Sequence, residues 1–133
     1  MLPNTLIFFR HEGPLHERIR ELDGGNYSHV GLYAGSGTMV EAVPPMVRIT
    51  RVADRAHGAT DIAVYTLNRP VVRSYQTVLG RPYDWNWREG KSSATPAKLH
   101  CATLLGYLFG LEGPRSPDLS LSELLSFCED RHG

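Results

Sequence analysis

The sequence predicts an α+β fold, with a small, mainly antiparallel sheet packed by helices. Two observations carry this expectation. Residues 27–34 and Thr38 to Val43 read as two strands about a Gly35-Ser36-Gly37 turn, the clearest hairpin in the chain. Segments with helical spacing of apolar residues then stand before and after the strand-like runs.

In chain order, Leu6-Ile7-Phe8-Phe9 is a short apolar run that suits a buried strand. Pro14 opens a helix to Leu22 with Leu15, Ile19 and Leu22 on one face. Asp23-Gly24-Gly25-Asn26 is a loop by composition, and Pro44-Pro45 stops the hairpin. Residues 46–60 give little signal beyond a strand around Val47 to Ile49, and another strand runs from Ile62 to Leu67. After Pro70, the residues Val71, Val72, Tyr75, Val78 and Leu79 fall on one helical face that Gly80 would end. Residues 81–98 read as a long loop rich in Trp, Gly, Ser and Pro, a length usually associated with function or mobility. A helix carrying Cys101 follows and ends near Gly110; Ser120 and Glu123 have the spacing of a capping box on a last helix.

Bulk properties bound the function. At 133 residues the chain suits one core, so residues 1–133 are read as a single domain. Fourteen basic side chains balance fourteen acidic ones, which argues against nucleic acid as a partner. The most apolar stretch, Leu99 to Leu111, is too short for a membrane span. No secretory signal is visible, so the expectation is a cytoplasmic protein or one exported without such a signal. The six histidines form no H-E-x-x-H pattern and the two cysteines no paired-ligand spacing, so no metal or other cofactor is expected. His100 and Cys101, as neighbours on a helix, should point in different directions. A bridge between Cys101 and Cys128 is not expected; with Leu121, Leu124 and Leu125, Cys128 reads as core.

The chemistry-bearing residues are a strand histidine and a helix cysteine. If the three-residue turn pairs Ala34 with Thr38, Gly31 lies opposite Glu41. His29, Gly31, Tyr33 and Glu41 then share a face, with Glu41 a diagonal neighbour of His29. A two-residue loop would shift the register and send Glu41 to the other face. In the first arrangement a carboxylate orients an imidazole, as in a catalytic triad. Cys101 shares a helical stripe with Leu104, Leu105 and Leu108. Near a helix N-terminus and an imidazole, its pKa falls from about 8.5 to below neutrality. Thr95-Pro96 is one candidate helix start; a start near Leu99 or His100 fits better, because Lys98 in a first turn opposes the helix dipole. Taken singly, each residue also has a plainer reading: a strand histidine and a leucine-stripe cysteine as packing, Glu41 on a solvated face, Trp85 and Trp87 as core or lid.

The order of these pieces resembles a known group. Leu6-Ile7-Phe8-Phe9-Arg10, a helix, Tyr27-Ser28-His29-Val30-Gly31, Val40-Glu41-Ala42, Gly80-Arg81-Pro82-Tyr83-Asp84-Trp85 and then Cys101 resemble the circularly permuted branch of the NlpC/p60 papain-like superfamily, the YiiX/YaeF-type thiol hydrolases. The likeness runs from about residue 5 to 110. It implies a permuted papain-like fold, Cys101 as nucleophile, His29 as base, Glu41 as the orienting residue and Tyr83 near the oxyanion region. Thr103 departs from the group, where glutamate often stands. The implied function is a cysteine hydrolase that cleaves an amide or ester through an acyl-enzyme. Candidate substrates are a small peptide or peptidoglycan fragment, or an N-acyl or lipid-like molecule. Two alternatives stay open: an acyltransferase on the same site, and a non-catalytic module that keeps the cleft.

Overall fold

The computed structural model describes residues 4–67, 69–83, 100–111 and 120–128. Its centre is a five-stranded antiparallel sheet of β1 (Thr5–Arg10), β2 (His29–Gly35), β3 (Thr38–Val43), β4 (Met46–Arg51) and β5 (Asp61–Thr66), in the order β4-β3-β2-β1-β5. The helices are α1 (Pro14–Asp23), α2 (Val52–Ala56), α3 (Cys101–Phe109) and α4 (Leu121–Ser126), with a short 3-10 turn at Tyr75–Thr77. The α+β class agrees with the sequence expectation. None of the described helices is long and apolar enough to cross a membrane.

The hairpin combines both turns that the sequence left open. Gly35 pairs with Thr38, so the closing loop is the two-residue Ser36-Gly37. Both residues have positive φ, 52° and 73°, the geometry of the mirror-image turn that matches strand twist. A bulge between Tyr33 and Gly35 then inserts Ala34 as an extra residue. It restores Tyr33 opposite Met39 and Leu32 opposite Val40. Continuing that register sets Gly31 against Glu41, as the three-residue turn would have done. Gly31 must be small: a Cβ there would meet the Met39 sulfur at 2.7 Å and the Val40 carbonyl oxygen at 3.2 Å.

The sheet buries both faces. Leu6, Phe8, Val30, Leu32, Val40 and Ala42 pack with Leu104, Leu105 and Leu108 of α3 and Leu124 of α4. Ile7, Phe9 and Met39 form a smaller cluster on the other face, against Val52 and Ala56 of α2. Such buried side chains contribute about 1.5–3 kcal/mol each. The α3 helix is buried almost all round, beyond the single stripe that periodicity suggested. Gly110 closes it in the left-handed conformation, φ 67°.

Two expectations need correction. The proposed helix after Pro70 is only the Tyr75–Thr77 turn, and Val71, Val72 and Leu79 are exposed. Here the Val72 and Arg73 amides donate to the Leu108 carbonyl, so the start of the segment bonds to the end of α3 in place of a helical turn of its own. Adjacent β-branched valines also favour helix poorly. The apolar face of α1 is the second case: Leu15 and Leu22 are exposed, and only Ile19 packs on the core. Polar contacts hold α1 in place, with Arg20 donating to Glu12 and Asp23 accepting from Ser122 at the start of α4. Ser120 caps α4 by accepting from the Glu123 amide at 3.1 Å. Trp85, Trp87, Thr95-Pro96 and most of the long loop lie outside the described residues.

Candidate active site

The first residue of β2 and the first residue of α3 meet at one pocket. His29 and Cys101 are each 6% exposed, and both line a cavity of about 160 Å³. His100 is the N-cap of α3, which confirms the later of the two helix starts. Thr103 fixes this end of the helix: its hydroxyl accepts from the His100 amide at 2.9 Å and donates to the His100 carbonyl at 3.1 Å.

Glu41, in mid-strand on β3, is 0% exposed. The solvated-face reading of this residue is therefore wrong. Its carboxylate accepts from His29 Nε2 at 2.6 Å. Arg55 of α2 holds both oxygens, Nε to Oε1 at 2.9 Å and Nη2 to Oε2 at 2.8 Å. Thr50 on β4 adds a further hydrogen bond. Burial by itself would raise the pKa of Glu41, but these donors, His29 and Arg55 foremost, hold it well below the usual carboxylate range. A buried carboxylate demands such partners. Arg55 had no sequence signature, since it lies in the stretch 46–60 whose periodicity is unreadable.

With Nε2 engaged by Glu41, the Nδ1 side of the His29 ring is left for the thiol. Burial opposes a charge on His29, yet its interactions with Cys101 and Glu41 raise its pKa to about 9. Burial likewise opposes a thiolate, while the imidazoles of His100 and His29 lower the Cys101 pKa to about 6. His100 therefore does not turn away from its neighbour: as an N-cap with extended backbone it stands outside the helical spacing rule and reaches the sulfur. Cys128 has the opposite environment. Its thiol is free, burial pushes it up to about 11, and it packs beside the core.

A second imidazole lines the pocket. His16 of α1 pairs through Nδ1 with the hydroxyl of buried Ser28 at 2.9 Å, and that hydroxyl accepts from the His11 amide at 3.1 Å. Burial and the positive field of His11 and His29 lower the His16 pKa to about 4. Tyr83 lines the pocket too, buried, with its amide donating to the Pro45 carbonyl at 3.0 Å. The structure thus brings together Cys101, His29, Glu41 and Tyr83. Arg55, His16 and Ser28 come from tertiary packing and the His100 contact from the backbone at the helix N-cap, and the sequence marked none of them as site groups.

No protein-family model matches the chain, and no curated protein sequence matches it either. Among solved structures, the fold is similar to that of the metalloprotein YiiX from Escherichia coli O157:H7, DUF1105. The TM-score is 0.62 and the identity 17%, over 93% of this chain and 78% of that one. At this identity the likeness is one of fold.

Proposed function

We propose that this protein is a cysteine hydrolase of the permuted NlpC/p60 papain-like type, with Cys101 as nucleophile, His29 as acid and base, and Glu41 as the orienting carboxylate. One observation carries the reading: a single imidazole is held between a buried carboxylate, at 2.6 Å, and a thiol whose pKa is lowered to about 6, at a pocket. A structural cysteine in an apolar setting has its pKa raised, as Cys128 does. The fold similarity to YiiX is consistent with this type.

In the reaction, the Cys101 sulfur attacks the substrate carbonyl carbon and forms a C–S bond. The oxyanion develops near the first amide of α3, which has no acceptor within the helix, with Tyr83 as a second candidate donor. The C–N or C–O bond then breaks as protonated His29 gives its proton to the departing amine or alcohol. Water next loses a proton to His29, attacks the thioester carbon and releases a carboxylic acid, and the C–S bond breaks to return the thiolate. Glu41 holds the ring in one tautomer and stabilises its charge throughout.

YiiX is described as a metalloprotein. The donor set here does not fit a metal ion. Among the described residues no three His, Cys, Asp or Glu groups are grouped to hold one, and the Arg55 guanidinium occupies both Glu41 oxygens. No step is routed through a metal.

Incubation with p-nitrophenyl acetate tests the reading. A burst of nitrophenol, with acetyl mass on Cys101 that decays with turnover, is expected. The burst should vanish in Cys101→Ala and slow sharply in His29→Ala. Steady wild-type-like turnover in either variant would overturn the assignment. The alternative substrates, a wall-derived peptide amide and an N-acyl or lipid-like molecule, are separable by the same acyl-enzyme mass.

A further inference from the structure

Arg48 stands on β4 directly opposite Glu41 of β3. Cross-strand partners project from the same face, so Arg48 shares the face of the His29–Glu41 pair, and its side chain lines the pocket with Cys101. The arginines around it are engaged: Arg55 with Glu41, Arg51 with Asp54 and Arg20 with Glu12. Arg48 has no carboxylate partner among the described residues. Its cross-strand neighbour cannot serve, because both Glu41 oxygens are held by Arg55 and one also by His29.

The charges of the site leave a remainder. Cys101 and His29 together are neutral whichever of them holds the shared proton, and Glu41 offsets Arg55. Among the described residues Arg48 is therefore a positive charge without a carboxylate partner, lining the cleft beside the apolar Leu15, Ile19, Val43 and Pro44. A planar guanidinium in that position is suited to a carboxylate or a phosphate oxygen pair.

We propose that Arg48 selects substrates that carry an anionic group, a carboxylate or a phosphate ester, close to the scissile carbonyl. This rests on the hydrolase reading and narrows its substrate class. An arginine that merely charged the edge of the sheet against strand pairing would have no such effect on reagents at Cys101.

Two alkylating reagents that differ in charge test it without a known substrate. Rates of Cys101 modification by iodoacetate and by iodoacetamide are measured at neutral pH and low salt, with the denatured chain supplying the intrinsic ratio. The folded protein should favour iodoacetate beyond that ratio, and Arg48→Gln should reduce the preference by about two- to five-fold, the size expected for one exposed charge. Arg48→Lys should recover part of it, and added salt should weaken it. An unchanged ratio in Arg48→Gln overturns the proposal. If Cys101 reacts no faster than Cys128 with either reagent, the hydrolase reading itself fails, and this proposal with it. N-acetylglycine and glycerol phosphate, offered as protectants against iodoacetamide, separate the two sources of negative charge. The better protectant names the anion, and protection by neither, or equal protection in Arg48→Gln, overturns the assignment.

Discussion

Arg55 of α2 meets both carboxylate oxygens of Glu41, at 2.9 and 2.8 Å, and shares Oε1 with the imidazole of His29. The contact is a planar two-bond clamp on a carboxylate with no solvent exposure, while the arginine itself stays a quarter exposed. Removing the cation would strand a buried charge. Arg55→Met is expected to cost about 3 kcal/mol in urea unfolding at neutral pH, the low end for breaking a buried pair. The double variant Arg55→Met/Glu41→Gln should regain part of that loss. Equal stability of Arg55→Met and wild type would show that the clamp contributes nothing.

The two thiols should separate by reactivity. At pH 6.5 a group with pKa about 6 is largely thiolate, whereas one with pKa about 11 is almost wholly protonated. Iodoacetamide should therefore modify Cys101 at least ten-fold faster than Cys128, well inside the roughly 10⁴-fold ratio of thiolate fractions even after the lower nucleophilicity of an acidic thiolate is allowed for. His29→Ala should narrow the gap without closing it, because His100 still lowers the Cys101 pKa. Peptide mass spectrometry after timed quenching reads both. Comparable rates in the wild type would remove the basis for an activated sulfur.

The pH dependence of turnover follows from the same pair. Activity needs Cys101 ionised and His29 protonated, so it should rise as pH passes about 6 and fall as pH passes about 9. Because the groups interact, the two limbs belong to the pair and not to either residue alone. Glu41→Gln removes the carboxylate that raises His29, which should move the alkaline limb to lower pH. Its rate should drop less than that of His29→Ala. An alkaline limb unmoved by Glu41→Gln would contradict the orienting role.

Stability at acid pH should depend on His16. Its folded pKa, about 4, is depressed from the ordinary 6.5, so the neutral ring is the form that folding favours. This contribution is present above about pH 6.5 and is lost as pH falls toward 4, because only the unfolded chain takes up the proton there. His16→Gln has no proton to bind. Its melting temperature should decline less than that of the wild type across that window. Parallel declines would rule out His16 as a source of acid sensitivity.

The hairpin bulge offers a direct test of register. Deleting Ala34 removes the extra residue between Tyr33 and Gly35 and should leave a regular hairpin that keeps Gly35 on Thr38, Tyr33 on Met39 and Leu32 on Val40. Glu41 then stays on the face of His29, and preferential labelling of Cys101 should survive the deletion; its loss in molecules that stay folded would contradict this register. Ser36→Asn, which suits the positive φ of the first turn residue, should keep both labelling and stability.

Much of this arrangement was legible in the chain, for identifiable reasons. Alternation in residues 27–43 marked the hairpin, and the stop at Pro44-Pro45 bounded it. The register reached the right partner for Glu41 through a turn of different length, since a two-residue loop plus a bulge equals a three-residue loop in its effect on pairing. The Ser120 cap and the Gly110 terminus were readable because capping is local chemistry. Arg55 was not, because a five-residue helix is too short to show a period and its partner is fourteen positions away. The Val71–Leu79 face misled for the converse reason: its spacing is helical, but the nearest open carbonyl belongs to Leu108. Ser28 and His16 lie on separate elements, and nothing local ties a hydroxyl to a ring twelve residues earlier.

The reactive pair and the two groups that hold the ring belong to regular backbone: His29 opens a strand, Glu41 lies within one, and Arg55 and Cys101 sit in helices. Leu15 and Pro44, by contrast, come from a solvent-facing helix side and a bend between strands. Engineering at those two positions can thus change what the cleft admits while leaving the reactive atoms where they are.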